Sequence, residues 1–263
     1  MTPAVGIAGI GLLGAGLAGW AASRPVLAGL APHQPAPVAP PVPALLPATE
    51  RRRTGPSVRL ALAVAIEAVQ ASGLPPEEPD TVFASANSEG QVIVSILEAL
   101  HAPDGAISPT QFHNSVHNAA AGYWGIAAGS ARPSVSLGGH DAVFATGLMQ
   151  AVAQVVTARR PVLFVAHDVP LPPPMAALRP GEGAFAVALA LVPGRGAHGA
   201  LRLAYAANGP AAEPPLPPGL DAIRAGNAVA RALPVLMALA ARRAASLRLT
   251  MPEAAGLDVV VAP

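Results

Sequence analysis

Residues Ile107 to Arg160 read ISPTQFHNSVHNAAAGYWGIAAGSARPSVSLGGHDAVFATGLMQAVAQVVTARR, and the fold turns on how this stretch is parsed. Pro103 to Val116 reads as a loop, Asn118 to Ala128 as a helix and Ser134 to Leu137 as a short strand. A sharp Gly138-Gly139-His140-Asp141 turn then leads into a long helix that ends at Arg159-Arg160. The next run, Pro161 to Ala166 (PVLFVA), is uninterrupted and apolar. Two apolar strands on either side of a helix predict a right-handed βαβ unit in a parallel sheet with both faces covered. Asp141 at the head of the long helix and Arg159-Arg160 at its foot complement the helix dipole.

Working back toward the N-terminus, Ala4 to Ala22 is apolar, uncharged and carries six glycines. It predicts a short buried strand over Ala4–Ile10, a glycine turn and a helix from about Leu13 to Ala22. A membrane anchor or signal segment is the other reading of this run. Gly9-Ile10-Gly11-Leu12-Leu13-Gly14 is formally a dinucleotide fingerprint, but no acidic residue follows in Leu27–Pro35 to hold a ribose. Close packing of strand against helix explains these glycines better. Pro32 to Pro47 is proline-rich and predicts an extended loop. Ser57 is placed to cap a helix running to about Ala71, where Gly73 and Pro75-Pro76 stop it. Thr81–Ala86 predicts a strand, and Gly90 to about Leu100 a helix.

Toward the C-terminus, Phe185–Val192 and Leu201–Ala207 predict two antiparallel neighbours. The loop Asn208–Pro218 then leads to a helix over Leu220–Ser246, kinked or split at Pro234, and Asp258–Ala262 is a last strand. One α/β domain is expected over 1–219, with 220–263 as a short helix–strand appendage.

Composition narrows the chemistry. The chain has 263 residues, 52% of them hydrophobic and 12% charged, so it can bury a substantial core. A net charge of +1 gives no electrostatic case for nucleic acid. The absence of cysteine removes disulfides, thiolate metal sites and a cysteine nucleophile, and is compatible with the cytoplasm.

Polar residues gather at the two turns of Ile107–Arg160. A strand–turn–helix aims helix N–H groups into a cleft, a place for an anion or a nucleophile. The turn here has Gly139 at its tip. Asp141 reads most simply as a cap, and His140 could act as a general base only if a hydroxyl or thiol came from elsewhere. His113 and His117 are spaced so that a helix would put both imidazoles on one face, but a metal would need a third ligand and no HExxH is present, so neither metal nor cofactor is expected. Tyr123 and Trp124 share one helix and read as core or as subunit interface.

The residues resemble a known family. Asn118-Ala-Ala-Ala-Gly122, Pro133-Ser-Val-Ser136 and Gly181-Glu-Gly-Ala184 are similar to stretches of β-ketoacyl synthases, and Ile7-Ala-Gly-Ile-Gly11 resembles their opening strand. SPTQFHNSVHNAAAGYW and SLGGHDA resemble the ketosynthase-like chain length factors of aryl polyene and related pigment clusters. The resemblance implies an α/β, thiolase-like half, with helices layered around a mixed, mostly parallel sheet. It lays Gly139 on the acylated cysteine of ketosynthases. It also implies that the histidines driving decarboxylation, carried by the second half of those enzymes, are missing.

The expectation is therefore a subunit without its own condensation chemistry, paired as a heterodimer with an active β-ketoacyl synthase and meeting an acyl carrier protein transiently. Gly138, Gly139, His140, Asp141, His113, Asn114, His117 and Asn118 would line the pocket and turn. Tyr123, Trp124 and the strand Ser134-Val135-Ser136-Leu137 would form the joining face. Two other functions stay open: an independent acyl-thioester enzyme using His140 and Asp141, and a membrane-tethered scaffold built on Ala4–Ala22.

Overall fold

A computed structural model describes residues 1–39, 42–177, 179–208 and 214–263. Pro40 and Pro41 of the proline-rich loop and 209–213 of the Asn208–Pro218 loop lie outside the described residues.

In chain order the elements are β1 (Val5–Gly14), β2 (Leu17–Ala18), α1 (Trp20–Leu27), α2 (Ala48–Arg53), α3 (Pro56–Ser72), β3 (Asp80–Ala84), α4 (Gly90–His101), α5 (Pro109–Asn114), α6 (Ala119–Ala128) and β4 (Ser134–Leu137). They continue with α7 (Val143–Ala158), β5 (Val162–Asp168), β6 (Phe185–Pro193), β7 (Ala200–Ala206), α8 (Pro218–Gly226), α9 (Leu233–Ala240), β8 (Ala245–Thr250) and β9 (Gly256–Ala262). All strands join one sheet in the order β4-β3-β5-β6-β1-β7-β9-β8, with β2 paired to β1.

The sheet is mixed but mostly antiparallel, which corrects the expectation of a mostly parallel one. Among the described residues only β3–β4 and β3–β5 run parallel. The remaining pairings, β1 with β2, β6 and β7, β5 with β6, and β9 with β7 and β8, are antiparallel. Continuous apolar runs report that both faces of a strand are covered; they carry no information on direction. Where a strand returns without a helical crossover, as from β8 to β9, antiparallel pairing is the only short solution. β6 and β7 are not neighbours either: β1 lies between them and pairs with both.

Two core layers cover the faces. On one, α3 and α6 pack on Phe83, Leu163, Val165, Ala186 and Ala188. On the other, α7, α9 and the turn at 228–232 pack on Val82, Phe164, Val187, Leu189 and the Ile7–Leu12 side of β1. The glycines of β1 explain the first layer. A Cβ on Gly9 would overlap the Ala68 carbonyl oxygen, and one on Gly11 would overlap that of Val64, four residues earlier on α3. Bare strand backbone lets the helix backbone lie directly on the sheet. The same device extends β1 to Gly14, so α1 begins later than expected. Ala4–Ala22 is thus central strand, turn and the first part of α1. Among the described residues only His140–Ala158 is long and apolar enough to cross a membrane, and its helix packs on the sheet.

Other local corrections have equally plain causes. Ser57 does not cap α3. Gly55 stands at the cap position and Pro56 in the first turn, where a missing N–H costs nothing. The expected loop 103–116 contains α5, opened by a capping box between Ser108 and Gln111. The expected helix Leu220–Ser246 is broken. Asn227 turns extended and caps the next turn through Val229 N–H, Pro234 sits in the first turn of α9, and Ala245–Thr250 is a strand.

The β1–α3 contact gives a direct test. Gly11→Ala drives a methyl into the Val64 carbonyl and is expected to cost about 3 kcal/mol or more in denaturant unfolding. Gly122→Ala, on α6 with nothing within 4 Å, is expected to be neutral or stabilising by about 0.5–1 kcal/mol. A wild-type midpoint for Gly11→Ala would mean that α3 does not rest on bare backbone.

Candidate functional site

The parallel strands β4, β3 and β5 all end on one side of the sheet, and their C-terminal ends place Gly138-Gly139, Ser85–Glu89 and His167-Asp168 next to one another. β4 leads through Gly138-Gly139 into a single 3-10 turn, His140–Ala142, and then α7. Gly139 is extended at φ −172°, and His140 takes the left-handed value of φ 46°.

No side chain is presented at the tip. A Cβ on Gly139 would lie 2.7 Å from Val143 Cα and 3.1 Å from Val143 N, both backbone atoms of the following helix. The position that the resemblance lays on the ketosynthase cysteine is therefore crowded as well as without a side chain, because the first turn of α7 packs against it.

Behind the turn sits a buried polar cluster that sequence reading missed. Asp168, 1% exposed, accepts hydrogen bonds from Ser85 Oγ (2.7 Å), Asn87 N–H (2.8 Å) and Ala86 N–H (3.1 Å). Ser85 Oγ in turn accepts from Ser88 N–H at 2.7 Å. Ser57 Oγ and His167 Nδ1 share a hydrogen bond of 3.0 Å. Glu89 accepts from Val58 N–H at 2.9 Å. Asn227 donates to the Asp168 and Gly183 carbonyls at 3.2 and 3.1 Å. Ser57 and His167 have the spacing of a nucleophile and its base. Both are buried, at 1% and 4% exposure, and the bond ties the first turn of α3 to the end of β5.

Burial sets the charge states. It pushes Glu89 up to about 6, against the opposing hydrogen bond from Val58. Burial, with His117 nearby, pushes His167 down to about 3, so its ring is neutral at neutral pH. Asp168 is raised by burial, its three hydrogen bonds working the other way. The sequence signal was present: two polar residues end the apolar run VLFVAHD, and SANSEG follows β3. His167 and Asp168 were placed beyond the strand, but they are its last two residues.

The expected site residues separate into groups. His140 and Asp141 are exposed on the turn. Asp141 makes no capping bond and instead pairs with Arg179 at 2.8 Å, with His140 Nδ1 at 3.5 Å. A cleft of ≈ 280 Å³ adjoins them, lined by Asn87, Arg179, Gly181, Asn227 and Arg231. His113 and His117 do not share a face. His113 packs edge-on against Tyr123, while His117 Nε2 lies 3.0 Å from the Ser85 carbonyl, just behind Gly138. Among the described residues no three His, Asp or Glu side chains are grouped to hold a metal ion.

Asn114 is buried and joins two helices, donating to the Arg53 carbonyl (2.7 Å) and accepting from Tyr123 O–H (3.0 Å). Tyr123 and Trp124 are both 1% exposed and sit in the core layer under α6. The outward side of α6 and β4 is a second groove, of ≈ 480 Å³, lined by Asn118, Gly122, Trp124, Arg132, Ser134 and Ser136. Trp124 Nε1 and Ser136 Oγ are buried there without a hydrogen-bond partner among the described residues.

Residues 20–215 match the family model described as the N-terminal domain of β-ketoacyl synthase. No curated protein matches the chain. Among solved structures, it is similar to a chain from the ketosynthase ApeO in complex with its chain length factor ApeC, from Xenorhabdus doucetiae. The TM-score is 0.73 at 20% identity, covering 97% of this chain and 98% of that one. The ishigamide ketosynthase/chain length factor gives 0.71 at 12% identity, covering 98% of both chains. The type II polyketide complex AntDE:AntF, an acyl carrier protein with its ketosynthase bound to the hexaketide, gives 0.71 at 11% identity, covering 100% and 99%. At these identities the likeness establishes a shared thiolase-like fold.

The charge state of Glu89 is testable. Its carboxyl binds a proton more tightly folded than unfolded, so its ionisation costs stability as pH rises from 4.5 through about 6. Glu89→Gln keeps an acceptor for Val58 and removes the charge. Its stability relative to wild type is expected to rise by about 2 kcal/mol between pH 4 and pH 7. Paired denaturant titrations at the two pH values measure this, and a difference independent of pH would contradict it.

Proposed function

The chain belongs to the β-ketoacyl synthase N-terminal domain family, and we propose that it serves as the non-condensing half of a pair. In this reading it is a chain length factor that docks on an active β-ketoacyl synthase during fatty acid- or polyketide-type elongation of the aryl polyene kind, in the cytoplasm. The partner supplies the cysteine that carries the acyl chain and the histidines that serve decarboxylation. This chain supplies a joining face and part of the wall around the growing acyl group, and meets the acyl carrier protein transiently.

The observation that carries the reading is Gly139. A residue without a side chain at the tip of the turn, with Val143 backbone crowding the place of a Cβ, supports a turn that presents no nucleophile. His140 and Asp141 do not take over that role. They are solvent-exposed, and Asp141 is engaged by Arg179.

The joining face rests on separate support. Among the described residues β4 ends the sheet and pairs only with β3. Thr81 N–H donates to the Pro133 carbonyl and Ser85 N–H to that of Leu137, so alternation leaves the N–H and C=O of Ser134 and Ser136 pointing away from the sheet. An unprotected edge is a template for another strand. Large exposed apolar side chains concentrate nearby in sequence: Leu97, Leu100, Phe112, Val116 and Ile126. Solved relatives include a ketosynthase in complex with its chain length factor.

Co-expression with the ketosynthase of the same cluster is expected to give a complex that co-elutes on size exclusion. Ser136→Pro removes an outward donor while sparing the β3 ladder, and is expected to abolish co-elution with the isolated chain still folded by circular dichroism. Failure of the pair to co-elute while product forms, or undiminished co-elution of Ser136→Pro, would sink the reading.

Gly139→Cys tests the closed turn. It is expected to lower stability by about 1–3 kcal/mol and to give no acylation of the new thiol by an acyl thioester. Mass spectrometry of the intact variant detects the adduct that would contradict this.

A further inference from the structure

We propose that a cleft remote from the Gly139 turn, between α1, the Arg195–Gly199 turn and the end of α9, is an anion site for a phosphate-type group held by Arg24, Arg195, Arg242 and His198. The inference does not depend on the pairing reading. The cleft has a volume of ≈ 240 Å³, and no acidic residue lines it. That is below the usual range for a drug-sized ligand and suits a phosphate or a small phosphate ester.

Three guanidiniums and an imidazole converge here from three separate parts of the chain. Among the described residues no Asp or Glu pairs with Arg24 or Arg242, while Arg195 is already engaged by the main-chain oxygen of Pro263 at 2.9 Å. Other arginines of the chain do have a carboxylate partner: Arg132 pairs with Asp80, Arg179 with Asp141 and Arg248 with Asp258. Burial first, and then Arg242 and Arg24, hold His198 below the usual histidine range, which places both guanidiniums near its ring. Guanidinium forks match phosphate oxygens in geometry as well as charge.

The frame is fixed. Gly196 packs on Ile7 of β1 where a Cβ would overlap its carbonyl, His198 N–H donates to the Ile7 carbonyl, and Ile7 N–H donates to the Gly199 carbonyl, both at 2.9 Å. The Trp20 ring stands edge-on to His198 with centroids 6.1 Å apart. Arg242 is held at φ 50°, a left-handed conformation disfavoured for arginine, while its N–H closes on the Leu239 carbonyl. The positive groups are thus presented by rigid backbone around one opening.

Calorimetric titration of the full chain at constant ionic strength tests this with inorganic phosphate, glycerol phosphate and malonate. Saturable phosphate binding with a Kd of about 1 mM or tighter is expected, weakened about tenfold or more in Arg24→Gln/Arg242→Gln and in His198→Gln. These positions lie on the surface or at its edge, and circular dichroism checks that the variants fold. Tighter binding of glycerol phosphate would identify an esterified ligand, and equal or tighter binding of inorganic phosphate the free ion; either supports the site. No saturable binding of either, undiminished binding in the variants, or malonate binding as tightly as phosphate would overturn it.

Discussion

The contact on which the rest of the molecule depends is that between α3 and the bare backbone of β1. Because Gly9 and Gly11 have no side chains, the Val64 and Ala68 carbonyls of the helix rest on the strand itself. That depth lets α3 fill the layer above β5 and β6, with Leu60, Ala61, Val64 and Ala65 buried. It also fixes where the first turn of α3 arrives. Ser57 reaches His167 at the end of β5, and Val58 N–H reaches Glu89 beyond β3. A helix held further off by ordinary side chains would leave these buried groups without partners, at ~1–3 kcal/mol each.

The polar cluster at the strand ends ties three parts of the chain together. Asp168 gathers the Ser85–Asn87 backbone, Asn227 ties the turn after β5 to the C-terminal segment, and His117 closes on the Ser85 carbonyl. All of this braces the ends of β3, β4 and β5 around Gly138-Gly139. Removing any one of these partners would strand buried charges or donors.

How much of this was legible in the sequence follows from what side chains report. Element existence in Ile107–Arg160 was readable, because glycine, proline and polar residues punctuate apolar runs there. So was the turn at Gly138-Gly139, since paired glycines mark the break between strand and helix. Strand direction was not readable: Val162–Ala166 and Phe185–Leu191 are equally apolar, and one runs parallel to β3 while the other runs antiparallel to β5. The helix predicted over 220–246 failed because alanine-rich sequence suits either structure, and the break at Asn227 rests on its side chain reaching the Asp168 and Gly183 carbonyls, over 40 residues away. Ser57 was misread as a cap because its partner, His167, is 110 positions off. Contacts of that span leave no local pattern.

A closed turn and an open edge are related consequences of one layout. α7 and β4 flank Gly138-Gly139, so whatever fixes the turn also fixes the strand that ends the sheet. An enzyme working alone would gain from a roomy turn and a protected edge. This chain has the reverse: Val143 backbone fills the turn, while Ser134 and Ser136 leave their backbone groups facing outward beside a groove with an unpartnered Trp124 Nε1. An unpaired edge is costly to leave open, and a second strand continuing β4 would satisfy the outward backbone groups of Ser134 and Ser136, whereas Trp124 Nε1 is buried too deep for such a strand to reach.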